Sequence, residues 1–261
     1  MSAPEQLNSS AYQSQPAALD PLDDARERLI VALDVPSASA AIELVDRLEN
    51  CCRWFKVGLE LFVSAGPSIL ETLAARGHSV FLDLKFHDIP NTVAGAVRSA
   101  AGWGVRMLTV HALGGPAMLG AARTALEAVP NPPQLLAVTV LTSMDQSQLS
   151  AVGLNVSAAE QVKRLAQVGL DAGISGFVCS PQEVGLLRSL TGPRTVLVIP
   201  GIRPAGTGMG DQKRTATPAE AFRQGASYLV VGRPITQAAN PAEAANRILE
   251  EMALNLVRAS S

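Results

Sequence analysis

A closed (β/α)8 barrel, the TIM barrel of the α/β class, is the fold that three features of the sequence predict. Eight short apolar stretches of strand length alternate with Ala-rich amphipathic stretches of helix length through most of the 261 residues. Ala, Val, Leu and Gly dominate and only 4% of residues are aromatic, a composition that suits parallel strands covered by helices. No G-x-G-x-x-G follows the first apolar stretch, which disfavours an open doubly wound sheet, the structural alternative.

The elements follow in order. Residues 1–19 are rich in Ser, Gln, Pro and Ala, with neither a basic start nor an apolar stretch. They read as a flexible N-terminal tail rather than a secretory signal, and residues 20–261 read as one barrel domain. The first strand is predicted over 29–33, followed by a helix over 38–48. A strand over 54–57 carries a single charge, Lys56, before a helix over 67–75. The strand over 79–84 runs into Asp83 and Lys85. Pro90 then suits the first turn of the helix over 92–101. The strand over 105–110 ends at His111, ahead of a helix over 117–128. The strand over 135–141 ends at Thr142 and Ser143, ahead of a helix over 158–172. A strand over 176–179 precedes a helix over 181–190. The strand over 195–199 leads into a long irregular stretch, 203–218, containing Gly206, Gly208 and Gly210. Such a length inside a compact domain fits a functional lid or mobile segment. A helix over 218–224, a strand over 228–231 and a last helix over 241–257 complete the chain.

Bulk properties exclude several classes. A net charge of -2 gives no global attraction to nucleic acid or acidic membranes. No apolar run approaches the ~18 residues that span a bilayer. The cysteines, Cys51, Cys52 and Cys179, have no metal-ligand spacing and read as reduced core thiols in a cytoplasmic protein.

Barrel enzymes place their chemistry at the C-terminal ends of the strands, and charges gather there in this sequence. Strand one ends in Asp34, strand two carries Lys56, and strand three carries Asp83 and Lys85 with Asp88 just beyond. Alternate residues of a strand share a face, so Asp83 and Lys85 point the same way. If these side chains meet, their signs alternate, which keeps every lysine protonated and every carboxylate ionised. An ammonium fixed in a dry pocket is a proton donor of set position, and a fixed carboxylate repels an anionic group pressed against it. That combination suits loss of a carboxylate followed by protonation of the carbanion. The bland alternative is a salt-bridge lattice at a barrel rim.

At the far side, Gly201-Ile202-Arg203 follows strand seven and Gly232-Arg233-Pro234 follows strand eight. Barrels often bind phosphate at these loops, arginine suits phosphate geometry, and Gln212 on the Gly-rich stretch is placed to close over it. Thr142 and Ser143 are candidates to hydrogen-bond a heterocycle, or else to cap a helix. His111 at a strand end is a pocket candidate or a structural histidine. His87 is expected between barrel and helix or at a subunit contact, and His78 at a turn.

With these residues identified, the chain resembles the orotidine 5′-phosphate decarboxylase family. The resemblance rests on Leu33-Asp34-Val35, Trp54-Phe55-Lys56-Val57-Gly58, Asp83-Leu84-Lys85-Phe86-His87-Asp88-Ile89-Pro90-Asn91-Thr92, Leu141-Thr142-Ser143, Pro200-Gly201-Ile202-Arg203 and Val231-Gly232-Arg233-Pro234-Ile235. It implies conversion of orotidine 5′-phosphate to UMP and CO2, the last step of de novo UMP synthesis, with no metal and no cofactor. Lys85 would protonate C6 of the pyrimidine, Asp83 would lie against the departing carboxylate, and Lys56 and Asp34 would meet the ribose. Thr142, with Ser143 nearby, would lie close to the pyrimidine. Arg203, Gln212, Arg233 and the Gly232 backbone would grip the phosphate. Asp88 and Thr92 would reach the site of a partner subunit in an obligate homodimer, and Ile89 would be a further substrate-binding residue. Phe86 stands where a smaller aliphatic residue is expected, on the face away from the pocket. The alternatives are a Mg²⁺-dependent sugar-phosphate decarboxylase or aldolase of the same superfamily, and a non-catalytic nucleotide-binding barrel. The first needs an acidic ligand near the end of strand two, where this chain has Lys56, a poor metal ligand while protonated.

Overall fold

The structure, a computed structural model, describes residues 20–48, 51–204 and 214–259. The expected tail, 1–19, lies outside them. In chain order the described elements are α1 (Pro21–Arg28), β1 (Leu29–Ala32), α2 (Ala38–Arg47), β2 (Trp54–Gly58), α3 (Leu59–Ala65), α4 (Ser68–Ala75), β3 (Ser79–Phe86), α5 (Pro90–Gly102), β4 (Met107–His111), α6 (Gly115–Thr124), β5 (Gln134–Val138), α7 (Gln146–Ala151), α8 (Ala158–Asp171), β6 (Gly176–Val178), α9 (Val184–Thr191), β7 (Val196–Ile199), α10 (Pro218–Arg223), β8 (Tyr228–Val231), α11 (Arg233–Thr236) and α12 (Pro241–Ala259). The strands are all parallel and close in sequential order, β8 pairing with β1 through Ile30 and Val230. The expected barrel is the observed fold.

Period-two alternation sorts the strand residues into two cores. Ile30, Ala32, Trp54, Phe81, Met107, Leu136, Val198 and Val230 fill the barrel interior. Their neighbours in sequence, such as Val31, Phe55, Leu82, Leu108 and Leu229, face outward and pack against the helices. Polar caps begin several helices. Ser37 accepts from the Ala40 amide at the start of α2, and Asp145 and Thr217 form capping boxes for α7 and α10. Pro90 is the first residue of α5, as its fixed φ predicts. The three cysteines are buried, and the Cys51 and Cys52 sulfurs lie 3.8 Å apart.

Three helices were not expected as separate elements: α1, α3 and α7; α11 opens at Arg233-Pro234, where proline suits a first helical turn. α1 is mostly charged and buries only Ala25, so its sequence lacks a strong apolar stripe; it packs on α12. The other two span seven and six residues, too short for periodicity to stand out. The strand over 135–141 ends early, at Val138. The chain leaves the sheet after the Thr139 amide bonds Val178 O, while Val140 stays buried at the mouth. β3 runs two residues further than expected because it bulges. Leu82 pairs with Leu108 and Phe86 with Val110, so the β3–β4 register shifts between these two pairs.

Candidate active site

The polar groups at the barrel mouth stand one or two steps of the same alternation above the interior core. Asp34 follows Ala32, Lys56 follows Trp54, Asp83 and then Lys85 follow Phe81, and Gly232 follows Val230. They line a cavity of about 260 Å³ together with Thr142, Cys179, Arg203 and Arg233.

One wall is an array of alternating charge. Lys56 Nζ donates to Asp34 Oδ1 at 2.9 Å and lies 3.7 Å from Asp83 Oδ2. Lys85 Nζ donates to Asp83 Oδ1 at 2.9 Å. The middle of the array is dry, with the Lys56 and Asp83 side chains 11% and 13% exposed. Lys85 is 32% exposed, open to the cavity. Gly58 makes the Lys56–Asp34 contact possible: a Cβ there would meet Lys56 Nζ at 2.9 Å and Asp34 Oδ1 at 3.3 Å. Burial alone would push the Asp83 carboxyl up. The two ammonium groups, with hydrogen bonds from Lys85 and Thr109, outweigh it and hold the group below the usual carboxylate range. Asp83 is therefore an anion at neutral pH, fixed beside an amine.

Lys85 lies at the bulge with φ 51°, a left-handed conformation that costs a non-glycine residue about 1–3 kcal/mol. Alternation correctly placed Asp83 and Lys85 on one face, but it gives no sign of this backbone. The same turn leaves the Lys85 amide without a ladder partner, and it donates to Thr109 Oγ1 at 2.9 Å.

The rim after β7 and β8 carries Arg203 and Arg233. The Arg203 amide bonds Ala216 O at 3.0 Å, so the residues flanking 205–213 are tied together at their base. Burial and the like charge of Arg233 both lower the Arg203 pKa. Its buried Nε has no hydrogen-bond partner among the described residues. Two converging guanidinium groups are an anion site by electrostatics alone.

The remaining expected residues divide. Thr142 lines the cavity, whereas Ser143 is exposed at its rim and caps no helix, α7 being capped by Asp145. Asp88, Ile89 and Thr92 are exposed and lie outside the cavity of this single chain. Gln212 lies outside the described residues. His87 is exposed rather than packed beneath a helix and stacks on His111, ring centroids 5.4 Å apart. His111 Nδ1 accepts from the Leu113 amide at 3.3 Å. Burial, aided by the charges of His87 and Lys85, takes its pKa from 6.5 to about 4. His78 packs edge-on against Phe55. Phe86 packs toward the helices, away from the cavity, as expected.

Two features escaped the sequence reading. Thr109 is fully buried beneath the array; a threonine inside an apolar strand carries no signal by itself. Arg214 forms a buried ion pair with Glu183, which also takes the Ser180 hydroxyl. Arg214 donates to Leu141 O at 2.9 Å and so braces the segment that carries Thr142. These partners lie far apart in sequence, and no local pattern joins them.

A closed barrel whose strand ends gather an alternating Lys–Asp array and two arginines around one cavity has the layout of a barrel enzyme acting on a small anion. The chain belongs to the orotidine 5′-phosphate decarboxylase / HUMPS family, whose model matches residues 27–248. A protein named orotidine 5′-phosphate decarboxylase from Moorella thermoacetica is 52% identical over 234 residues, covering 87% of this chain and 93% of its own. One of the same name from Nostoc sp. is 52% identical over 233 residues, covering 87% and 97%. The crystal structure of orotidine 5′-phosphate decarboxylase from Lactobacillus acidophilus superposes with a TM-score of 0.76 at 39% identity, over 86% of this chain and 98% of that one.

Proposed function

We propose that this chain decarboxylates orotidine 5′-phosphate with Lys85 as the proton donor and Asp83 as the anion set against the departing carboxylate. The enzyme is a carboxy-lyase of pyrimidine synthesis, and its product is UMP. The Lys56–Asp83–Lys85 array at the cavity wall is the observation that carries this reading. The C6–carboxylate bond breaks and CO2 departs. The electron pair stays on C6 and takes a proton from Lys85 Nζ, and solvent reprotonates the amine. Asp83 stays ionised, so it raises the energy of a substrate carboxylate beside it and loses that repulsion as CO2 forms. Lys56 and Asp34 hold the ribose, Thr142 meets the pyrimidine, and Arg203 and Arg233 hold the phosphate with the Gly232 backbone. Binding energy at the phosphate, remote from the reacting carbon, lowers the barrier when it is realised in the transition state.

Asp88 and Thr92 complete the site of a second copy in a homodimer, and Ile89 beside them contacts substrate. Their exposure beside the mouth supports this, as do the exposed apolar side chains of Leu59, Val63 and Ile89, at 58%, 81% and 66%. Ser143 and Gln212 are assigned to the pyrimidine and phosphate ends on the family resemblance alone. Residues 20–261 act as one catalytic barrel in this reading, which involves no metal and no cofactor. Lys56, engaged with Asp34, stands where a Mg²⁺-dependent relative needs an acidic ligand. No described helix is long and apolar enough to cross a membrane; a cytoplasmic location goes with the small-molecule substrate. Loss of orotidine 5′-phosphate absorbance on adding purified protein in EDTA tests the reading. Turnover is expected, and binding of UMP without turnover would reject it.

A further inference from the structure

We infer that Thr109 is a positioning residue for the decarboxylation assigned above: its one hydroxyl locks Asp83 and the Lys85 backbone into reacting geometry. The topology creates the need. Between the Leu82–Leu108 and Phe86–Val110 pairs, β3 bulges while β4 has only Thr109 to offer. The bulged residues lose their partners on β4, and they include Lys85 and also Asp83, which keeps only its pairing with Gly58 of β2. A half-buried amide in a barrel wall needs an acceptor, and apolar side chains on β4 would supply none.

Thr109 meets both demands. Its Oγ1 accepts from the Lys85 amide at 2.9 Å and donates to Asp83 Oδ1 at 3.1 Å. A hydroxyl has one proton to give and lone pairs to accept with, so the two bonds are compatible and together fix its rotor. Asp83 Oδ1 is the same oxygen that takes Lys85 Nζ at 2.9 Å. One buried side chain thus holds the lysine at its backbone and the carboxylate that holds the lysine at its tip. Thr109 is fully buried beneath both groups and does not line the cavity, so it acts through them and not on the substrate.

The roles of hydroxyl and shape separate with two substitutions. Thr109→Val keeps the branched shape and removes the hydroxyl; Thr109→Ser keeps the hydroxyl. A lost hydrogen bond to a charged group predicts a fall in kcat of about 10–100-fold for Thr109→Val. KM should stay within about threefold, because the ribose and phosphate contacts are untouched. Thr109→Ser should recover most of the rate. The acid limb of the kcat/KM profile should move to higher pH in Thr109→Val, since Asp83 loses a donor to its ionised form. The Asp83 carboxyl followed by 13C NMR should titrate higher in the same variant; this readout holds even should the wild type fail to turn over orotidine 5′-phosphate, which would refute the activity and not the positioning. Wild-type kcat and an unmoved Asp83 titration in Thr109→Val would overturn the inference. Thr109→Ala carries the same test should Thr109→Val not fold. Failure of both to fold beside a folded Thr109→Ser would overturn it in favour of a purely structural hydroxyl.

Discussion

Lowering the pH from 7.5 to 5 should cost this protein stability through His111, and the cost can be worked from its surroundings. The folded ring takes up a proton only at about 4, against 6.5 for a free histidine. Between those values the unfolded chain binds a proton that the folded one refuses, so stability falls as pH falls. Completed below pH 4, the penalty has a ceiling of about 3.4 kcal/mol, at roughly 1.4 kcal/mol per pH unit. At pH 5 about 2 kcal/mol of it has accrued. The ring is only half-buried, and solvent screening reduces this to about 1–2 kcal/mol. His111→Asn removes the titration while leaving an oxygen able to accept from the Leu113 amide. Denaturant melts at both pH values, at one fixed protein concentration, give the comparison. Wild type should lose about 1–2 kcal/mol more than His111→Asn between pH 7.5 and 5. His78, also lowered by burial and by Arg76, acts in the same direction but cancels in the difference. Equal losses would refute the reasoning, and a larger loss in the variant would reverse its sign.

Other perturbations address the chemistry. Lys85→Ala should lower kcat by about 10⁴-fold or more with the fold intact, as expected for a lost general acid that also paired with Asp83; steady-state kinetics beside circular dichroism reads both. Arg233→Ala should lower kcat/KM for orotidine 5′-phosphate by about 10²-fold, while leaving the poor rate on unphosphorylated orotidine nearly unchanged. Mixing Asp88→Ala with Lys85→Ala chains should restore activity to neither-mutant sites of the mixed dimer. Absence of recovery, with subunit exchange shown by mass, would count against a shared site.

The fold was legible because parallel strands buried on both faces show up as apolar runs, and eight of them alternate with helical stretches. The charged wall was legible for a related reason. Lys56, Asp83 and Lys85 interrupt such runs at the ends where barrel chemistry sits, and alternation puts Asp83 and Lys85 together. What stayed hidden depends on three-dimensional closure. The bulge in β3 and the left-handed Lys85 arise from register against β4, which no local window contains. Thr109 looks like any β-branched strand residue until the bulge leaves an amide and a carboxylate facing it. Arg214 and Glu183 are charged residues in polar surroundings by sequence, and only the chain's path buries them beside Leu141. Ser143 was grouped with Thr142 as its neighbour, but adjacent residues past a strand end diverge, and only Thr142 turns into the cavity.

A crystal structure of the protein with UMP bound tests the central claim most directly. Lys85 Nζ should lie within about 3.5 Å of pyrimidine C6, the reach of a donor about to transfer a proton, with Asp83 beside that carbon and Arg203 and Arg233 on the phosphate. A nucleotide bound with C6 turned away from Lys85 would contradict the account.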